Sequence, residues 1–243
     1  MYYFVSDIHL GGGAAEDART VEQRFCRWLD TIADDAEMLF LVGDIFDFWF
    51  EYNRVVPKGF VRVLGRLAAL HDKGVRIVYL TGNHDMWQCD YLQRECGVEL
   101  YKKPQEFSVA NLRLFVAHGD NMNINGQPLL KLLNWVFRSR VLRFLFAWLI
   151  HPDLALKFGC WWSGRSRKSH KDSNYEAHLQ PLCDYAESYA AEHKIDLFIF
   201  GHMHATAAFD TPSYKVRVMG DWHSCPNYVQ IDGEGNVEQK NFE

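Results

Sequence analysis

The feature that most constrains this chain is an alternation of short apolar runs with amphipathic stretches over its first hundred residues. Residues 2–5, 38–42 and 75–80 are each four to six apolar or β-branched residues bounded by polar or Gly positions, the pattern of buried strands. Between them, residues 21–32 and 60–71 are amphipathic and long enough for crossover helices. A β-α-β-α-β order requires parallel strands covered by helices. Beyond about residue 98 the rhythm changes. Residues 107–109 and 112–117 flank Ala110-Asn111 as a hairpin, and short strands are expected near Phe198, Ala207, Val216, Tyr228 and Val237. A parallel half followed by a meander-like half predicts an α/β (α+β) fold of two packed mixed sheets with helices outside.

Composition supports one domain over residues 1–243: hydrophobic residues make up 48% and charged residues 23%, which excludes a disordered or collagenous chain. The net charge of −5 argues against a nucleic-acid partner. Residues 121–172 stand apart, with nine Lys or Arg against Asp153 and Asp172 and four of the eight tryptophans. Pro128 and Pro152 sit where helices start, so two or three short inserted helices are expected there. Residues 132–150 are apolar, but Asn134, Arg138, Arg140 and Arg143 interrupt them, and the longest clean run is too short to span a bilayer. A basic, aromatic amphipathic insertion is the mark of an interfacial element or lid; the plainer alternative is a helical subdomain with a solvated basic face. The six cysteines form no Cys-x-x-Cys pair, and the N-terminus carries no secretory signal pattern. Both point to the reducing cytoplasm.

Five short motifs close successive apolar runs: Asp7-Ile8-His9, Gly43-Asp44-Ile45-Phe46-Asp47, Gly82-Asn83-His84-Asp85, His118-Gly119-Asp120 and Gly201-His202-Met203-His204. Singly, each is more simply a capped loop or a satisfied histidine. Together they are coherent, because ligand sites of α/β sheets lie beyond the carboxyl ends of the strands. Carboxylates, imidazoles and one amide oxygen suit Mn(II), Fe(II) or Zn(II). The candidate ligands are too many for one ion. Two ions ~3.5–4 Å apart could share a carboxylate, supply a nucleophile at neutral pH and polarise a phosphoryl oxygen.

In order and spacing, the five motifs resemble those of the calcineurin-like metallophosphoesterase family, spread over residues 7–204. The resemblance implies a four-layer sandwich of two mixed sheets with outer helices, and a metal-dependent hydrolase. It implies Asp7, His9 and His204 as ligands of one ion, Asn83, His118 and His202 as ligands of a second, and Asp44 as the bridge. His84 would be the catalytic residue at the scissile phosphate, stabilising charge or protonating the leaving oxygen. Two divalent ions, Mn(II) by preference, are the implied cofactors. Asp47, Asp85 and Asp120 are expected either to orient ligands or to cap loops.

The chain's size, residues 43–49, Gly220-Asp221-Trp222 and the insertion after His118 are similar to the lipid A branch of that family. This implies UDP-2,3-diacylglucosamine as a lipid-linked nucleotide substrate. Water would attack the α-phosphorus to give UMP and 2,3-diacylglucosamine 1-phosphate, under an insertion that caps the site and holds the acyl chains. Asn83, His84, His202, Arg167, Lys168 and Lys171 are then the expected substrate contacts. The expected location is peripheral, on the cytoplasmic face of the inner membrane. The well-known form of that branch carries Arg where His84 stands. Two other readings therefore stay open: a hydrolase of another lipid-linked or soluble phosphoester or nucleotide pyrophosphate, and a non-catalytic scaffold of the same fold. The intact ligand set favours a catalyst.

Overall fold

A computed structural model describes residues 1–13, 18–122, 128–171 and 175–243, apart from the side chains at 129, 130, 165–171 and 175–178. In chain order the elements are β1 (Tyr2–Val5), α1 (Ala18–Ile32), β2 (Met38–Val42), α2 (Val61–Asp72), β3 (Arg76–Leu80), α3 (Tyr91–Cys96), β4 (Glu99–Tyr101), β5 (Gln105–Val109) and β6 (Leu112–Ala117). There follow α4 (Pro128–Arg138), α5 (Arg140–Leu149), α6 (Pro152–Lys171), α7 (Tyr175–Glu192), β7 (Leu197–Phe200), β8 (Ala207–Asp210), β9 (Lys215–Val218), β10 (Asn227–Ile231) and β11 (Val237–Asn241).

Two mixed sheets result, in the orders β11-β10-β1-β2-β3-β4 and β5-β6-β7-β9-β8. In the first, β1 to β4 run parallel and β10 is antiparallel to β1. In the second, β6, β7 and β9 run parallel. Period-two alternation sorts the strand residues into three apolar layers. Tyr3, Val5, Leu39 and Leu41 face α1, α2 and α3; Phe4, Phe40, Leu114 and Ile199 fill the space between the sheets. Phe115, Phe198 and Val216 pack under Leu182 and Ala186 of α7. Both faces of each central strand are therefore covered, which is why β2 is buried at all five positions. The Ala110-Asn111 hairpin forms as expected, with both residues at positive φ, the backbone such a two-residue turn requires.

The sequence reading and the structure differ in four places. The strands β10 and β11, expected within the closing meander, return to the first sheet. Helix α3 and strand β4 were not expected; both are short. The third inserted helix is not short, since α6 runs 20 residues. The 18-residue helix α7 also went unread, because it carries Pro181 in its interior, ordinarily a helix-ending signal.

Candidate metal centre

Parallel strands deliver their carboxyl ends to one edge of the sandwich, and the five motifs begin there. Asp7 follows β1, Asp44 follows β2, Asn83 follows β3, His118 follows β6 and His202 follows β7. The turns that aim these side chains are strained. Asp7, His9, Asp44, His202 and His204 all have left-handed φ, five of the eight such non-glycine residues among those described. Each such residue costs ~1–3 kcal/mol and persists only where its surroundings over-determine it. Close approach adds to this: a Cβ on Gly82 would fall 2.1 Å from Asp44 Oδ1.

The imidazoles of His9 and His204 meet with Nε2 atoms 3.1 Å apart, and Asp7 Oδ1 lies 3.7 and 3.6 Å from them. Asp7 Oδ2 is used elsewhere, accepting from Ser6 Oγ at 2.5 Å and from the His202 amide at 2.9 Å. Next to this group, Asp44 Oδ2 stands 3.2 Å from His118 Nε2 and 4.0 Å from His9 Nε2, between the two clusters. Asn83 Oδ1 lies 3.3 Å from His118 Nε2. His202 offers a ring nitrogen within 4.8 Å of the ligand atoms of Asp44 and His118. Asp7 Oδ1 and Asp44 Oδ2 are buried carboxylate oxygens with no hydrogen-bond partner among the described residues. Burying an unsatisfied charged oxygen is costly. Two of them among imidazole nitrogens are what a cation site supplies.

Electrostatics agree. Burial works against charge on Asp7 and Asp44, but surrounding histidines outweigh it and hold both carboxyls below their ordinary range. Burial also pushes His202 down to about 3 and His204 down to about 4. These imidazoles are neutral and ready to ligate. His118 differs: Asp44 overrides its burial and holds it well above the ordinary histidine value.

Supporting groups fix the orientations. His118 Nδ1 donates to the Val42 carbonyl at 2.9 Å, which turns Nε2 inward. His84 Nδ1 donates to the Asp47 carbonyl at 2.9 Å, leaving Nε2 3.9 Å from Asp44 Oδ2. Asp85 accepts from Ile45 N, Tyr79 Oη and Gly82 N at 2.9, 2.6 and 2.8 Å, which ties the second and third loops together. Burial pushes its carboxyl up to about 6. Asp47 Oδ1 lies 3.5 Å from His9 Nδ1 and accepts from Ser163 Oγ of α6 at 2.6 Å. Asp120 takes Arg138 Nη2 of α4 at 3.1 Å. Asp47 and Asp120 thus join the centre to the inserted helices.

The structure brings Asp7, His9, Asp44, Asn83, His84, His118, His202 and His204 together at one edge. Arg167, Lys168 and Lys171 fall at the end of α6, where side chains lie outside the described residues. Sequence reasoning missed Ser163 and Arg138 as groups that touch the site's carboxylates. Neither stands in a motif, and each meets its partner only through the fold. Two adjoining cavities, which share Phe48, Trp87, Phe137 and Phe158, make up an apolar recess beside the centre. Its inner part is lined by Asn83, His84, Trp162 and Ser163. Its outer part, about 130 Å³, is lined by Phe48, Phe50, Trp87, Phe146 and Phe158.

Comparison with known proteins adds relatives. The calcineurin-like phosphoesterase family matches residues 2–206. A protein of Porphyromonas gingivalis named UDP-2,3-diacylglucosamine hydrolase is 35% identical, over 95% of this chain and 94% of its own. A Haemophilus influenzae protein of the same name is 27% identical, over 94% and 92%. Among solved structures, an archaeal phosphodiesterase aligns with a TM-score of 0.48 and 13% identity, over 99% of this chain and 98% of its own.

Proposed function

This chain belongs to the calcineurin-like phosphoesterase family, and on that premise we propose that it hydrolyses the pyrophosphate of UDP-2,3-diacylglucosamine to UMP and 2,3-diacylglucosamine 1-phosphate, as the name of its P. gingivalis relative suggests. The observation that carries the reading is the apolar recess running from Asn83 and His84 into the aromatic side chains of the inserted helices. A soluble phosphoester would have no use for it.

In this reading Asp7, His9 and His204 hold one divalent ion and Asn83, His118 and His202 a second, with Asp44 between them. The mixed oxygen and imidazole donors suit Mn(II). When bound, such a pair supplies a nucleophile at neutral pH and polarises the phosphoryl oxygen. His84 is the catalytic side chain. Burial lowers its proton affinity, and the negative charge of an arriving pyrophosphate raises it. The imidazolium then neutralises, or protonates at Nε2, the oxygen that leaves with the lipid phosphate.

The exposed apolar face of α5 supports a membrane contact. Val141, Phe144, Leu145, Trp148 and Leu149 are all exposed at helical spacing, Trp148 by 76%, and Leu154 and Trp161 extend the apolar surface onto α6. No helix among the described residues is long and apolar enough to cross a membrane. We propose a peripheral location on the cytoplasmic face, supported by this exposed apolar surface and by six free thiols, which fit a reducing compartment. The test gives Mn(II)-loaded protein UDP-2,3-diacylglucosamine in detergent, beside bis-p-nitrophenyl phosphate. Fast UMP release, dependent on acyl length, with poor diester turnover is the expected result. Diester turnover without UMP release would keep the phosphoesterase and remove the lipid.

A further inference from the structure

A second cavity, of about 470 Å³, meets the centre at His118 and Asp120. Its volume lies in the range of small-molecule sites, roughly 300–1,000 Å³. Its walls are unlike those of the apolar recess. Lys103 and Arg138 bring positive charge, Asn134 brings an amide, and Trp135 presents an indole that is 66% exposed. Thr81 lies in the same wall, 6% exposed, and its hydroxyl is buried with no hydrogen-bond partner among the described residues.

Helix α4 is the partition between the two cavities. Val136 and Phe137 line the apolar one, whereas Asn134, Trp135 and Arg138 line the polar one. Arg138 is held in place by Asp120 Oδ2 at 3.1 Å and the Lys102 carbonyl at 3.2 Å. Its charge thereby offsets the Asp120 carboxylate where an anion would enter.

We propose that this cavity takes the nucleoside half of the substrate, with the base stacked on Trp135 and its polar edge met by Asn134, whose Nδ2 is oriented by donating to Asn121 Oδ1 at 2.6 Å. The proposal rests on the nucleotide-linked substrate proposed above. The substrate then lies across the centre with its nucleotide on the His118 side and its lipid on the His84 side. This places His84 beside the phosphate that departs with the lipid.

The test uses Mn(II)-loaded protein hydrolysing bis-p-nitrophenyl phosphate, with UMP and inorganic phosphate titrated as inhibitors. Trp135→Ala, at an exposed site outside the core, should weaken UMP inhibition about tenfold, the loss of one base–aromatic stack. Inorganic phosphate, which reaches only the centre, should inhibit this variant and the parent alike. Phe158→Ala, in the apolar recess, should shift UMP inhibition by less than about twofold. UMP inhibition that survives Trp135→Ala unchanged would overturn the proposal, and so would inhibition lost in Phe158→Ala instead. Failure of the lipid reading is distinguishable. A parent protein that releases no UMP from UDP-2,3-diacylglucosamine, yet loses UMP inhibition with Trp135→Ala, keeps the nucleoside cavity and discards only the lipid.

Discussion

Loading the centre with divalent ions should expel about one proton per protein at pH 7, and the proton should come from His118. In the metal-free protein His118 donates from Nδ1 to the Val42 carbonyl and faces Asp44 Oδ2 with Nε2 at 3.2 Å. Burial opposes its charge, but the Asp44 carboxylate prevails and raises its proton affinity well above the ordinary value. That direction favours hydrogen on both ring nitrogens in the metal-free protein. A ligating imidazole must present a lone pair, so the Nε2 proton leaves when an ion enters. Four other candidate ligands contribute little. His202 and His204, pushed down to about 3 and about 4, are already neutral, and Asp7 and Asp44 are already ionised. Apparent metal affinity should then rise about tenfold per pH unit below the His118 value. A raised folded-state value stabilises the metal-free protein below the unfolded histidine value, and that contribution fades as pH rises through the folded one. The thermal shift on loading should accordingly grow with pH. Calorimetric titration with Mn(II) in buffers of contrasting ionisation enthalpy reads the proton count as a slope. A slope near zero would refute the reasoning, and so would a proton count unchanged in His118→Ala.

Four further outcomes are expected. His84→Ala should keep the metal stoichiometry, read by elemental analysis, and cut turnover by roughly 10²–10⁴; loss of metal along with turnover would make His84 a ligand instead. Ser163→Ala removes a hydrogen bond to a carboxylate between groups only 1% and 3% exposed, worth ~1.5–3 kcal/mol. It should raise KM for the lipid substrate about tenfold or more, and an unchanged KM would show that α6 docks without it. Gly159→Ala would set a Cβ 2.4 Å from the Phe48 ring. That overpacking costs ~1–3 kcal/mol, and faster proteolysis of the inserted helices should report it. Phe144→Asp with Trp148→Asp should abolish co-sedimentation with anionic vesicles; vesicle binding that persists would move the membrane contact elsewhere.

The fold was legible where burial is simple. Strands β1, β2 and β3 are nearly unbroken apolar runs because both their faces are covered, so their bounds could be read within a residue. Strand β4 was not, because its three residues are only half-buried and leave no apolar run. Helix α7 hid behind Pro181, which its packing against the second sheet tolerates. At the site, residue type and position after a strand marked Asp7, Asp44, Asn83, His118 and His202, since parallel strands bring their carboxyl ends together whatever lies between. The left-handed backbone of His9 and His204 left no trace, because nothing in the type of these residues demands it. The Ser163–Asp47 bond joins residues 116 positions apart, and no local pattern encodes such a contact.

The left-handed ligand turns also limit how this protein can be made more robust. Replacing a strained non-glycine residue by Gly is ordinarily a route to a higher melting temperature. At Asp7, His9, Asp44, His202 and His204 that route removes a side chain that the proposed metal centre needs. A selection for heat resistance alone should therefore gather its gains in α1, α2 and the surface loops. One that drifts into these five positions should yield a sturdier protein with an empty rim.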